Sequence, residues 1–374
     1  MIRRVEEIKI DSDLATAGRN STHRLGPAET NTKAAQGLIV LLPDKKRESL
    51  LAAPPQGSRA WWSGVGDYLD NNMTRSIAVP GGSPMLNMQL WYDIEQDWDY
   101  AYVEVSANSG LSFASVAGNV TTNVNPNGQN LGNGITGTSS GGWVAASFNL
   151  SAYAGQTVLL RLRYWTDPSV QGKGFMADAI TLGAFTDGAE AGANGWTLNG
   201  FRTTTGVETG FHFNAYVAEY RQYRGYDTAL RTGPLYFANY PYLVENFPYM
   251  DGLLISYWDS SNTNNNVSEH PGEGLILPVD AHPVPLMHPT LGRPVRVDIQ
   301  TYDSTFGLEP TVAISFPLAG LQYPPLPAVP EFNDLNTYWY TSGPQGSVIV
   351  PKTGTRIRVV NTNAQGNFME VEVK

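Results

Sequence analysis

The sequence predicts an all-β protein with two or more β-sandwich domains of the jelly-roll type and a small β unit at its carboxy terminus. The 374 residues include 38 glycines and 25 prolines, which suit many short strands joined by tight turns. Only 16% of the residues are charged, so the charged runs that favour helices are scarce. Short segments alternate between apolar and polar residues, which is the period-2 pattern of strands.

The first two regions of the chain are defined by such strands. Residues 1–55 contain strand-like runs at 5–10 and 38–42, and Pro54 and Pro55 end this region of amino-terminal strands and linker. Residues 56–185 alternate steadily, most clearly at 100–105 and 158–164. This pattern predicts half-buried strands in a two-sheet jelly-roll sandwich.

The remaining sequence predicts a second β-rich domain and an extension. Residues 186–330 contain aromatic strands at 216–220 and 253–258 and end in a proline-dense connector. Residues 331–374 carry three apolar runs and are predicted to form a carboxy-terminal β extension, with completion of the preceding sheet as an alternative. We expect no helix of 12 residues.

Charge and cysteine content exclude several classes of function. The formal net charge of −10 argues against a nucleic-acid partner, because phosphate contacts depend on Lys and Arg, and it suits cations better. The absence of cysteine excludes disulfides, thiolate metal sites and cysteine nucleophiles. The first residues lack the apolar core of a secretory signal, and no stretch of about 18 apolar residues predicts a membrane span.

An acidic and amide-rich loop follows the predicted strand at 253–258. Its side-chain oxygens alternate along the chain, as in loops that surround a hard cation such as calcium. The candidate ligands are Asp259, Asn262, Asn264 and Asn266. Asparagine-rich runs are also ordinary turn formers, and that interpretation stays open.

A second group of candidate calcium ligands lies in the predicted sandwich. Asp97 and Asp99 flank Trp98 before a strand, so an extended chain would direct both carboxylates to one face, where a cation would relieve their repulsion. The other candidate ligands of this group are Asp67, Asp70 and Asp178. The alternative is that these are solvated turn aspartates.

Aromatic side chains make a case for a binding surface. The adjacent Trp61 and Trp62 are candidates for stacking on sugar rings or anchoring a protein partner. The alternative is that they fill the sandwich core.

Other chemical motifs are weaker. The Gly-x-Ser-x-Gly string at 137–141 lies in a glycine-rich loop rather than between a strand and a helix. A glycosidase-type carboxylate pair is another alternative, with the candidates Glu95, Glu104 and Glu219. Three histidines precede prolines and have no regular zinc-ligand spacing, and these are His270, His282 and His288.

Several longer segments resemble one protein family. The matching segments include 61–64, 91–106, 160–165, 218–227, 257–283 and 302–309. They resemble the carboxy-terminal region of the immune inhibitor A family of secreted bacterial metallopeptidases, over roughly residues 25–310. The family's His-Glu-x-x-His zinc motif is missing, because none of the five histidines is followed by glutamate. Where relatives often have Asp-Asp-Ile, this chain has Asp178-Ala179-Ile180.

The resemblance implies an extracellular, non-catalytic, calcium-stabilised portion of a zinc metallopeptidase that supports proteolysis of extracellular proteins. Its partners would be a catalytic peptidase domain or a protein substrate, structural calcium would be its cofactor, and zinc is not expected in this chain. Whether the chain is itself an enzyme stays open, although without the zinc motif it is expected to be inactive alone in a family of metalloendopeptidases. Any export signal would lie upstream of Met1. The alternative is a stand-alone extracellular binding or self-assembling module for glycan, cell surface or homopolymer.

Overall fold

The computed structural model describes residues 5–9, 21–30, 34–233, 235–237, 244–363 and 365–374. These residues form two compact units. The central unit comprises residues 48–210, and the split unit comprises residues 1–47 together with 211–374. Strands dominate both units, which confirms the all-β prediction.

The central unit is a sandwich of two antiparallel sheets. The first sheet contains, in spatial order, β10 (Val144–Asn149), β7 (Met85–Asp93), β12 (Gly174–Leu182), β5 (Ala60–Trp62) and β15 (Arg202–Thr204), with β13 (Phe185–Asp187) beside β12. The second contains β14 (Thr197–Asn199), β6 (Asp70–Ala78), β11 (Thr157–Trp165), β8 (Tyr100–Ser106) and β9 (Ala114–Ser115). Phe148 and Phe175 of the first sheet and Leu160 of the second are fully buried in one hydrophobic core.

Strand β8 differs from the half-buried strand that its alternation predicts, because all seven of its residues are buried. Arg161 pairs with Glu104 at 2.6 Å and covers one part of its outer side. The backbone N–H of Leu131 donates to the Tyr102 hydroxyl at 3.0 Å, and Ile135 forms a bridge with Ala101. The outer side of β8 is therefore covered by charged partners and by a loop rather than by solvent.

The split unit is built on two further sheets. One contains β1 (Val5–Lys9), β3 (Gly37–Leu41), β17 (Asn214–Arg221), β20 (Gly252–Asp259) and β21 (Ile276–Val279). The other contains β2 (Ser21–Leu25), β26 (Met369–Val373), β25 (Arg356–Thr362) and β24 (Glu331–Asn333). A single hydrophobic core contains Val40 and Tyr216 from the first sheet and Val371 from the second.

This division of the chain differs from the four consecutive regions that the sequence suggested. Strands β1 and β3 pair with each other, and β3 pairs with β17, so the amino-terminal strands belong to the sheet of a later region. At the other end, β26 pairs with β2, from Ser21 opposite Val373 to Leu25 opposite Met369. The carboxy-terminal residues therefore complete a sheet of the split unit. Strands β25 and β26 each bury one face.

The remaining elements are short. Two-stranded sheets join β4 (Lys45–Leu50) with β16 (Val207–His212), β18 (Leu235–Phe237) with β19 (Val244–Asn246), and β22 (Ile314–Phe316) with β23 (Leu321–Tyr323). The helices of the described residues are the α-helix α1 (Val297–Gln300) and 3-10 helices at Ser151–Tyr153, Gly225–Arg231, Thr301–Asp303 and Pro317–Ala319. In the described part of the chain, no helix is long and apolar enough to cross a membrane. Ile10, at the end of the first predicted strand, lies outside the described residues.

Candidate metal sites

Three carboxylates meet at one end of the central sandwich. Glu95, Asp99 and Asp167 each offer a ligand oxygen, and these oxygens all lie within 4.8 Å of one another. Glu95 and Asp99 belong to the turn between β7 and β8, and Asp167 follows β11. Because Tyr100 pairs with Trp165 in the antiparallel register of β8 and β11, the residues just outside that pair are brought together.

Hydrogen bonds hold this carboxylate cluster in place. The backbone N–H of Asp167 donates to Asp99 Oδ1 at 2.9 Å, and the backbone N–H of Asp99 donates to the Glu95 carbonyl at 3.2 Å. Glu95 Oε2 is buried and has no hydrogen-bond partner within the described ranges. The backbone N–H of Tyr68 donates to the Asp167 carbonyl at 2.9 Å, which places Asp67 beside the cluster.

The electrostatics of the cluster favour a bound positive charge. Burial raises the pKa of Asp99, the Asp167 N–H lowers it, and the negative charges of Asp167, Glu95 and Asp67 add to the rise, with a net pKa of about 6. Burial and the charge of Asp167 likewise raise the pKa of Glu95. A cation between these carboxylates would remove both the burial penalty and the mutual repulsion.

Of the residues predicted from the sequence, Asp99 lies in this cluster and Asp67 lies next to it. Asp97 does not share the cluster, because its φ of 66° turns the chain before the strand begins, and the alternation argument for one common face fails there. Its carboxylate accepts a hydrogen bond from Gln96 at 2.9 Å. Asp70 instead forms a two-pronged ion pair with Arg163 at 2.6 and 2.9 Å.

Asp178 is fully buried elsewhere in the same unit. It accepts backbone hydrogen bonds from Ala179 at 2.6 Å and from Gln56 at 3.3 Å. Burial raises its pKa, and the charges of Glu190 and Asp187 add to that rise. Asp178 is thus in an acidic environment of its own, separate from the cluster of Glu95, Asp99 and Asp167.

The amide-rich loop of the split unit is held by its own hydrogen bonds. Asp259 accepts from Lys45 at 2.6 Å and from Asn262 at 3.2 Å, so a lysine already balances its charge. Asn264 Oδ1 accepts from the backbone N–H of Asn266 at 2.7 Å, and Asn266 Oδ1 accepts from Ser268 at 3.3 Å. These are the local side-chain bonds of asparagine turns, as in the alternative interpretation.

Trp61 and Trp62 are buried, so they do not form the exposed surface for sugar rings or a protein partner that the sequence suggested. Trp61 has no exposed surface and packs in the central core, and its indole N–H is directed to Asp187 at 3.4 Å. Trp62 is 4% exposed, and its indole donates to the Lys173 carbonyl at 2.9 Å. Both residues fill cores because β5 is a short interior strand of its sheet.

The weaker motifs also find structural roles. Ser139 of the Gly-x-Ser-x-Gly string accepts from the Tyr92 N–H at 3.1 Å in a loop before β10. Glu104 is paired with Arg161, and Glu219 lies 3.4 Å from Arg221. His270 and His288 bond to residues of their own turns. Among the described residues, no group of three candidate metal ligands contains a histidine.

Sequence reasoning did not select Glu95 or Asp167 as metal ligands, nor a second acidic centre in the split unit formed by Asp280 and Asp303. Both of these aspartates are 1% exposed. Burial raises the pKa of each, and the charge of Asp280 adds to the rise at Asp303. The sequence gives little indication of Asp280 and Asp303, because each is a single aspartate next to an apolar or aromatic residue.

Comparison with known proteins relates both units to one family. Residues 21–206 match the model "Immune inhibitor A-like, MAM domain", and residues 212–371 match "Immune inhibitor A-like metallopeptidase, VEG domain". The chain is 31% identical over 338 residues to pre-pro-metalloprotease PrtV of Vibrio cholerae, covering 88% of the chain and 35% of PrtV. It is 27% identical over 366 residues to Immune inhibitor A of Bacillus thuringiensis, covering 94% of the chain and 50% of that protein. The chain thus spans between a third and a half of the length of these relatives.

Proposed function

The chain belongs to the immune inhibitor A-like metallopeptidase family, and from this premise we propose that it is a non-catalytic portion of such an enzyme that supports proteolysis of extracellular proteins. The proposal rests on the finding that two accessory-domain models match successive parts of the chain. The MAM match ends at residue 206 and the VEG match begins at 212, on either side of the boundary at 210 between the two compact units. The sequence has no His-Glu-x-x-His motif to hold a catalytic zinc ion.

The physical role of these domains is to dock beside a catalytic domain and to position or restrain substrate. Two well-packed sandwich cores suit a chain that must stay folded outside the cell, where no chaperone refolds it. The partner is accordingly a zinc-binding catalytic domain or its protein substrate, and the location is extracellular.

Calcium would bind at the cluster of Glu95, Asp99 and Asp167, with Asp67 beside it. All of these donors are carboxylate oxygens, which are the ligands that hard cations such as calcium prefer. The ion would join the turn between β7 and β8 to the end of β11, and so connect two parts of the sandwich. Because it binds only the folded state, calcium would add to the free energy of unfolding by mass action.

Reconstitution with a catalytic domain tests the proposal. The purified chain is mixed with the catalytic domain of an immune inhibitor A-type peptidase, and cleavage of casein and of a short peptide is measured. We expect a higher kcat/KM for casein than the catalytic domain has alone, a longer half-life on heating, and little change for the short peptide. Casein cleavage by the chain alone, or no effect of the chain on either property, would contradict the proposal.

Exposed aromatic side chains favour a second function, a stand-alone binding or self-assembling module. Tyr68 of the central unit is 77% exposed, and Tyr226 of the split unit is 95% exposed. Such rings stack on sugars or anchor a second protein chain. Sedimentation of the chain over a wide concentration range and binding to immobilised glycans would separate this function from the first. A monomer that binds no glycan would exclude it.

A further inference from the structure

The split unit contains a buried acidic centre that the proposed function does not use. Asp280 directly follows β21, and Asp303 ends the 3-10 helix Thr301–Asp303. Each residue is 1% exposed, although the two lie on different elements of the chain. Two carboxylates buried near each other are unfavourable unless a proton or a cation compensates them.

Asp303 is the most unusual member of this centre. Neither oxygen of its carboxylate has a hydrogen-bond partner among the residues that the structure describes. The His282 Nδ1 atom lies 3.5 Å from Oδ2. A buried carboxylate normally accepts several hydrogen bonds, so these two oxygens have the free coordination positions that a metal ion would use.

Asp280 is held in a fixed orientation beside Asp303. Its Oδ1 accepts the backbone N–H of His282 at 2.9 Å, and its Oδ2 faces the Gln300 amide at 3.4 Å. His282 contacts both carboxylates, because its backbone N–H bonds to Asp280 and its Nδ1 lies 3.5 Å from Asp303 Oδ2. The backbone N–H of Ala281 also donates to the Ser304 carbonyl at 3.2 Å, which holds the two segments side by side.

The orientation of His282 decides what kind of cation suits the centre. Its Nδ1 faces the Asp303 carbonyl at 3.1 Å, and its Nε2 faces the Pro327 carbonyl at 2.9 Å. Both ring nitrogens face backbone carbonyl oxygens, whereas the nitrogen of a zinc ligand would face the metal ion. The available donors are therefore oxygens, which favour a hard cation.

We propose that Asp280 and Asp303 bind a divalent cation of the calcium type, in a site separate from the carboxylate cluster of the central unit. Asp280 lies between Val279 and Ala281, which belong to the main core of the split unit. Asp303 follows Tyr302, which belongs to a smaller core with Ile299. The ion would join these two hydrophobic cores of the split unit.

Calcium binding to the full chain tests this proposal. The protein is freed of metal with chelator and titrated with calcium chloride by calorimetry, and the number of ions bound is compared among variants. Asp303→Asn keeps the shape of the side chain and removes its charge, so we expect it to bind one ion fewer than the unaltered chain. Asp298→Asn is the matched control, because Asp298 is bonded to Arg296 nearby and takes no part in the centre. It should bind the same number of ions as the unaltered chain.

The two sites are distinguished by a second variant. Asp99→Asn should lose the ion of the central unit and keep that of the split unit, so failure of one site leaves the other measurable. If Asp303→Asn does not fold, Asp280→Asn takes its place, and hydrogen exchange of residues 297–306 in the unaltered chain is compared with and without calcium. We expect calcium to slow that exchange at least tenfold. An unchanged ion count in the folded variant, or unchanged exchange in this segment, would overturn the proposal.

Discussion

Replacing Asp99 by asparagine should change the stability of the central unit in opposite directions with and without calcium. Without calcium, the buried carboxylate is unfavourable, because its pKa rises from 3.8 to about 6 in the folded chain. A rise of about two pKa units corresponds to about 3 kcal/mol once the group is ionised in both states. Because Asp99 is 1% exposed, solvent screening does not reduce this figure much.

The direction of the effect with pH follows from the raised pKa. The folded chain holds the proton to higher pH than the unfolded chain does, so the stabilising contribution is present below about pH 4 and is lost as pH rises through about 6. In chelator at pH 7.5, Asp99→Asn should therefore unfold at a higher temperature than the unaltered chain. For about 3 kcal/mol in a unit of this size, the difference is about 6–12 °C.

Calcium should reverse this order. At a calcium concentration of 1,000 times Kd, the bound ion stabilises the unaltered chain by about 4.1 kcal/mol, which exceeds the cost of about 3 kcal/mol, and the variant lacks that gain. Tryptophan fluorescence during heating is a suitable assay, because seven of the nine tryptophans lie in the central unit. Asp97→Asn is the matched control, since Asp97 belongs to the same turn but not to the carboxylate cluster. If Asp99→Asn responds to calcium as the unaltered chain does, or is the less stable one in chelator at pH 7.5, the reasoning is refuted.

Further substitutions test the packing and the ion pairing of the two units. Asp334 is fully buried and accepts hydrogen bonds from Thr353 and Gly354. Asp334→Ala should therefore lower the free energy of unfolding, measured in urea, by about 3 kcal/mol. Tyr216→Phe removes only one hydrogen bond to Asp334 and should lower it by about 1 kcal/mol. Phe148→Ala opens a cavity in the central core and should cost about 3–5 kcal/mol by the same measurement, and an equal loss in the 88% exposed Leu111→Ala would contradict this. Asp70→Asn removes an exposed ion pair with Arg163 and should cost less than about 1 kcal/mol, with the calcium response retained.

The strands were the best predicted part of the fold. The alternating run at 158–164 lies within β11, and the aromatic runs at 216–220 and 253–258 lie within β17 and β20. Alternation is a local property, because successive side chains of a strand point to opposite faces. The burial of both faces of β8 was not predictable in this way, since the covering loop is distant in sequence.

The metal ligands were predicted only in part. Asp99 was selected from its neighbour Asp97, but its partners in space are Glu95 and Asp167. Asp167 is 68 residues away in sequence and joins Asp99 only through the antiparallel register of β8 and β11. Spacing along one strand cannot reveal such a pair.

The sequence by itself determined the all-β class, most of the strands and the family, because alternation, turn residues and long matching segments are encoded locally. Only the tertiary structure decided that β1, β2 and β3 join the carboxy-terminal half of the chain, that Trp61 and Trp62 are buried, and that Asp280 and Asp303 both lie against His282. The physical reason is that sheet pairing joins residues of large sequence separation, and burial of a carboxylate depends on every element packed around it.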